Sequence, residues 1–248
     1  MTLTSDNAIV LQRWDFSETS QTVFLFTREN GLSRGLAKGA KRPKSKFSGG
    51  FDVLTRGQIV LILKPGKDLA TLTEWHLERV YERPRHSKNA NRVSYHMVDL
   101  VRLMFDQGDA HPRFYDHWSQ ILDDLESGGQ PDLMLLRFQL SLLRETGYQP
   151  RLECDVETGE QLELLPGKTV AFAPRSGGIV ADTGAHDRWR VRAETVSLLR
   201  TVLRDDAAEA LELDTPSLKR STRLLSWYIR EILGREPVTL TRTFPDLG

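Results

Sequence analysis

Residues 19–38 read TSQTVFLFTRENGLSRGLAK, and this stretch decides the fold. From Thr19 to Thr27 an extended chain carries apolar residues on both faces, Val23 and Leu25 on one and Phe24 and Phe26 on the other. From Leu32 to Lys38 the alternation places Leu32, Arg34, Leu36 and Lys38 on one side, and Ser33, Gly35 and Ala37 on the other. Charges that share a side with leucines predict a strand at an edge or one that is strongly curved. Working outward, Ala8–Trp14 supplies a short apolar strand before this pair. Val53–Leu63 is the most strand-like run after it, and Leu69–Tyr81 adds another through Thr71, Thr73, Trp75 and Leu77. Short strands with glycine-bearing connections predict a small barrel or sandwich.

The same region is strongly one-sided in charge. Between Arg28 and Lys67 stand ten basic residues (Arg28, Arg34, Lys38, Lys41, Arg42, Lys44, Lys46, Arg56, Lys64, Lys67) against two acidic ones, Glu29 and Asp52. Over the whole chain 34 basic residues balance 34 acidic ones, so the excess is local. Positive charge gathered beside strands points to a polyanion surface, with nucleic acid as the foremost candidate. A solvated charged loop is the alternative reading. The long connection from Gly39 to Gly50 is expected to project from the strands, and its Pro43 disfavours both helix and central strand there.

After Arg83-Pro84 the apolar period changes from two to about 3.6. Val93, Met97, Leu100, Val101 and Met104 form one stripe. Pro112 opens a second helix that stops at Gly128-Gly129, and Pro131 opens a third that Gly147 closes. From Tyr148 to Asp187, glycines and prolines break the pattern and predict hairpins inserted into the helical part. Helices resume over Arg192–Arg204 and Thr215–Leu233, with Thr215 as N-cap and Gly234 just past the end. The predicted organisation is α+β: a strand domain over 1–82, then a helical domain over 83–248 with a hairpin insert at about 150–187.

Composition limits the function classes. No run approaches the ~20 apolar residues of a membrane helix. Met1–Ser5 lacks an export-signal pattern, which predicts a cytoplasmic protein with no membrane partner. One cysteine, Cys154, excludes an internal disulfide. Enzyme readings are poor, because His76, His86, His96, His111, His117 and His186 show no spacing suited to one helical metal face. There is no Gly-Lys-Ser/Thr phosphate loop, and Ser176 lacks a G-x-S-x-G setting. The pairs Asp123-Asp124 and Asp205-Asp206 read as solvated surface rather than a nuclease centre, since neighbours on a helix point about 100° apart.

The order of these features resembles the bacterial RecO family. The resemblance rests on Ile9-Val10-Leu11, on Phe16-Ser17-Glu18-Thr19-Ser20, and on Phe26 through Gly31. The run from Ala37 through Lys41-Arg42-Pro43-Lys44 to Phe47 is its most distinctive segment. Arg137-Phe138-Gln139-Leu140, Leu142-Leu143, Gly147-Tyr148-Gln149-Pro150, and Leu218 through Tyr228-Ile229-Arg230 to Leu233-Gly234 extend it over nearly the whole chain. The resemblance implies an N-terminal five-stranded OB-fold barrel and a helical C-terminal part. It also implies a DNA repair and recombination mediator that binds single- and double-stranded DNA and anneals complementary strands. The implied protein partners are RecR, the C-terminal tail of the single-strand-binding protein SSB and, indirectly, RecA. Many relatives carry two cysteine pairs as a zinc site in the insert. Here Cys154 and Glu157 stand at the first pair of positions, Ala181 and Gly184 at the second, and one thiolate with one carboxylate does not hold tetrahedral zinc. The expectation is a hairpin insert without metal or other cofactor.

The residues expected to neutralise phosphates are Arg34, Lys38, Lys41, Arg42, Lys44 and Lys46, with Arg28 in support. Phe47 and Phe51 flank Gly49-Gly50, either stacking on bases or anchoring the loop to the barrel. An acidic, apolar-ended tail calls for an apolar pocket rimmed by positive charge. Lys219, Arg220, Arg223 and Arg230 beside Leu224 and Tyr228 are candidates, with Arg137 and Arg144 as rivals, and solvated helix surface is the alternative for all of these arginines. Two other functions stay open at this point: an RNA-binding OB protein, and an adaptor of the repair machinery without DNA binding of its own.

Overall fold

The computed structural model describes residues 2–63, 66, 69–204 and 215–245. Lys64 and Lys67 of the basic run, and the Asp205-Asp206 pair, lie outside the described residues. The strands β1 (Thr2–Asp15), β2 (Gln21–Thr27) and β3 (Gly31–Ala37) form an antiparallel meander. A two-residue strand β4 (Phe47–Ser48) precedes the antiparallel pair β5 (Thr55–Leu63) and β6 (Leu69–Val80). β5 returns to pair with β1, and β3 pairs in parallel with β6 over Arg34–Ala37 and Leu69–Leu72. The five long strands thus close on themselves in the connectivity of an OB-fold. Of the two alternatives that its charge pattern predicts, an edge strand or a strongly curved one, β3 is not the edge strand. It is the closing strand, bonded on both sides, and Arg34 sits on its outer face.

Both apolar faces of the early strands have an occupant. Inward, Val10, Val23, Leu25, Ala37, Ile59, Leu61, Leu72 and Trp75 fill the interior of the sheet. Outward, Phe26 packs against Phe105, Phe114, Tyr115 and Trp118 at ring-centroid distances of 5.2 to 6.2 Å. These rings come from or flank the helices α2 (Lys88–Met104) and α3 (Pro112–Glu126), which follow a single turn α1 (Arg83–His86). Ser87 caps α2 by accepting a hydrogen bond from the Ala90 N–H at 3.4 Å. Arg56 on β5 donates to Asp123 of α3 at 2.8 Å and to Ser119 one turn earlier. Asp123 is therefore a clamp on the sheet rather than free surface. The strands and these three helices form one compact unit ending at Gly128.

The second unit begins at Gly129. It contains α4 (Pro131–Glu145), a small sheet of β7 (Thr169–Ala173), β8 (Gly178–Val180) and β9 (Trp189–Arg192), then α5 (Ala193–Arg204), α6 (Thr215–Leu233) and α7 (Leu240–Thr243). The predicted insert is present as β7 and β8 and gains β9 as a third strand. Buried Gln139 ties α4 to α6, donating to the Ser226 hydroxyl at 2.7 Å and the Thr222 carbonyl at 3.2 Å. No helix among the described residues is long and apolar enough to cross a membrane.

Candidate nucleic-acid interface

The basic connection between β3 and β5 is fixed at both ends. At its start the Gly39 N–H donates to the Ser20 hydroxyl at 3.2 Å, and the Lys41 N–H donates to the Thr19 carbonyl at 3.0 Å. Lys41 Nζ also pairs with Asp15 at 2.6 Å, so the connection is held against the β1–β2 turn. That contact, with help from Gln21, keeps the Asp15 carboxyl below its ordinary pKa. At the far end the Trp75 N–H donates to the Lys46 carbonyl at 3.0 Å, Lys46 Nζ pairs with Glu74 at 2.8 Å, and Phe47 enters the interior. Between these points the Arg42 N–H donates to the Gly39 carbonyl and the Ser45 N–H to the Arg42 carbonyl, a run of tight turns.

This frame sorts the predicted DNA contacts. Lys38, Arg42 and Lys44 are exposed and have no ion-pair partner among the described residues. Arg34 lies on the outer face of β3 with its guanidinium 5.6 Å from the Trp14 ring centroid and 6.0 Å from that of Phe24. Lys41 and Lys46 sit in ion pairs at the surface. Such pairs are worth only about 0–1 kcal/mol, so a phosphate competes for them. Arg28 is turned to Asp116 of α3, with nitrogen–oxygen distances of 2.8 and 2.7 Å, and stands apart from the connection as a brace. Phe47 is corrected: it is buried against Phe51 at 5.4 Å, and Phe51 against Trp75 at 5.3 Å. It offers no face for a base and anchors the loop instead.

Sequence reasoning passed over two aromatics. Trp14, next to last in β1, is 37% exposed, and Phe16 in the β1–β2 turn is 64% exposed. In sequence an aromatic in a strand region looks like core. The only available signal was their place at a strand end and turn.

In the second unit Arg220, Arg223 and Leu224 of α6 line a pocket of ≈ 250 Å³ together with Trp189, Trp227 and Arg192. Lys219 is exposed nearby in sequence but does not line it. Two predicted partner contacts are corrected. Arg137 is buried, because α4 is covered on nearly all sides, and Tyr228 is buried edge-on against Phe172 at 5.1 Å.

The donor set of the insert does not fit zinc. Ala181 and Gly184 offer no side-chain ligand, and Glu157 is paired with Arg188 at 2.7 Å. The Asp155 carboxylate joins the two segments, accepting the N–H groups of Glu157 at 2.9 Å, Thr158 at 3.1 Å and Ala181 at 2.8 Å. Asp182 is held by Thr169 at 2.7 Å and Arg190 at 2.8 Å. Among the described residues no cluster of three His, Cys, Asp or Glu side chains is arranged to hold a metal ion.

Two family models cover the chain: Recombination protein O N terminal matches residues 1–81, and Recombination protein O C terminal matches residues 85–241. The chain is 34% identical over 175 residues to the DNA repair protein RecO of Rhodopirellula baltica, an alignment covering 71% of this chain and 64% of that protein. It is 25% identical over 237 residues to the DNA repair protein RecO of Dehalococcoides mccartyi strain CBDB1, covering 94% and 92% of the two chains. With that of Syntrophotalea carbinolica the identity is 26% over 241 residues, covering 96% and 92%.

Proposed function

The chain belongs to the RecO family and so to DNA repair, and on that premise we propose that it binds single- and double-stranded DNA and anneals complementary strands, including those coated with SSB. With RecR it assists the loading of RecA. It acts by binding, without a catalysed covalent step, in the cytoplasm at the nucleoid. The observation that supports this reading is the set of three exposed cations without an ion-pair partner among the described residues, Lys38, Arg42 and Lys44, on a connection fixed to the sheet at both ends. Lys and Arg placed this way neutralise phosphates and release counterions whatever the sequence, which suits a protein that must accept either of two complementary strands. Arg34, Lys41 and Lys46 border the same surface and supply further contacts. The domain reading assigns DNA to residues 1–82, and protein partners to the helical part over 83–248.

The pocket on α6 supports the partner half of the proposal. Trp189, Trp227 and Leu224 give it an apolar lining, and Arg192, Arg220 and Arg223 give it positive charge. An acidic peptide with an apolar end, such as the tail of SSB, matches both properties. Electrostatics of this kind tune on-rate and salt sensitivity more than final affinity.

Annealing of complementary oligonucleotides, read by fluorescence with and without SSB, tests the reading. A Lys38→Ala/Arg42→Ala/Lys44→Ala variant should retain its fold and lose annealing. With about five phosphates contacted, the native log–log salt slope on single strands should be about −3.5, and the variant's should be shallower by about 2. Full annealing by the folded variant would move the DNA face elsewhere. No annealing or binding by the native protein at low salt would leave the adaptor reading, and tighter binding to a matched RNA strand would favour an RNA function.

A further inference from the structure

The outer face of β1–β3 carries aromatic rings at the surface in addition to cations. Trp14 and Phe16 are 37% and 64% exposed, while Phe26 on the same sheet is fully buried beneath α2 and α3. Single exposed apolar residues are ordinary on any protein surface. These two differ in setting. The guanidinium of Arg34 lies 5.6 Å from the Trp14 ring centroid, and Phe24, next along the face, has Arg34 at 6.0 Å and Arg102 at 5.7 Å. The turn that holds Phe16 is closed by its own hydrogen bonds, Phe16 N–H to the Ser20 carbonyl at 2.9 Å and Ser20 N–H to the Ser17 hydroxyl at 3.1 Å. Lys41 then binds that turn through both its N–H and its ammonium. A rigid turn presenting a bare ring thus stands against the cationic connection.

We propose that Trp14 and Phe16 are stacking platforms for unpaired bases, and that they give this face its preference for single-stranded over duplex nucleic acid. The proposal rests on the DNA-binding reading above and adds the residues that distinguish the two forms of DNA. A duplex keeps its base faces inside its own stack and offers this surface only phosphates. A single strand laid along Lys38, Arg42 and Lys44 offers bases as well. The rings then add affinity that cations alone do not, and the addition is independent of base identity because every base has a π-face. Arg34, held over the Trp14 ring, steadies that ring and brings a phosphate-binding cation beside the platform.

Binding of the full chain to three ligands of equal length tests this: oligo(dT), a strand of abasic sites with the same phosphates, and a duplex. With two platforms the native protein should bind oligo(dT) about thirtyfold more tightly than the abasic strand. Phe16→Ala and Trp14→Ala should each cut that margin about fivefold while leaving the abasic strand and the duplex unchanged. Phe16→Trp should preserve the margin, and Phe16→Leu, which keeps an apolar side chain without a π-face, should cut it as Phe16→Ala does. Phe16 is exposed enough for all its variants to fold, so they decide the matter even if Trp14→Ala disturbs the seat of Arg34. Equal native affinity for oligo(dT) and the abasic strand would overturn the proposal, as would a Phe16→Leu protein indistinguishable from native, and the patch would then belong to a protein partner. In either case the loss of all three ligands in the Lys38/Arg42/Lys44 variant would leave the DNA reading standing. A native protein that binds none of the three would overturn both.

Discussion

Asp155 is almost wholly buried, and burial alone would drive its pKa upward. The N–H groups of Ala181, Glu157 and Thr158, together with the charge of Arg188, more than offset that penalty and hold the carboxyl below its ordinary value. A group with a depressed folded-state pKa stabilises the fold above its unfolded value, near 3.9, and that contribution is lost as pH falls through the folded one. Asp155→Asn turns an amide donor toward at least one of these N–H groups, so the variant should lose about 1–3 kcal/mol. Its stability deficit, measured by urea melts across pH, should be full at neutral pH and shrink below about pH 4. A deficit independent of pH would assign the effect to shape rather than charge. Sequence reasoning saw that zinc ligands were missing, but not that the residue beside Cys154 bridges the same two segments, because a hydrogen bond to a distant N–H leaves no mark in spacing. Phe47 and Arg137 misled for a similar reason. Neighbours in sequence show the period of a strand or helix but not what covers each face, and tertiary packing buried both.

At the scale of elements, the individual strands were legible because alternation at period two is local. Their closing on one another was also expected, as a small barrel or sandwich, but the pairing that closes them was not, because that ladder joins β3 to β6 in parallel across the whole basic connection. That ladder makes demands that sequence reasoning treated as generic. A Cβ at Gly35 would lie 2.4 Å from the side chain of Leu72 on β6, so that side chain fills the space over the strand only because Gly35 has none. Gly35→Ala should therefore cost about 1–3 kcal/mol of stability by overpacking. Leu72→Ala in the same chain should give back part of the clash, and a double-mutant cycle by thermal melts would read a coupling between the two. Strict additivity would mean that the ladder relaxes around the extra methyl. Gly31 is stricter: its φ is +60°, and a Cβ there would fall 1.8 Å from the Asp109 carbonyl oxygen in the α2–α3 link.

For the molecule as a whole, secondary structure changes type at residue 82, whereas the first compact unit runs on to Gly128. The difference lies in the outer face of the sheet. Phe26 and its four aromatic neighbours, the Arg56–Asp123 clamp and the Arg28–Asp116 brace all join strands to helices beyond residue 82. A fragment ending at Gly128 should unfold in one cooperative transition. One ending at Glu82 would uncover Phe26, and should aggregate or bind a dye specific for exposed apolar surface. A well-behaved shorter fragment would mean that the strands hold together without that aromatic cluster. The anchoring of the basic connection reaches further still. With Gly39 and Lys41 tied to one turn and Phe47 sunk among core rings, the loss of chain entropy that a floppy arm suffers on meeting a polyanion has already occurred during folding. Under the proposed DNA role, capture needs no slow ordering step and release no unravelling, so a strand should exchange on and off this surface quickly, the kinetic character that the proposed annealing calls for.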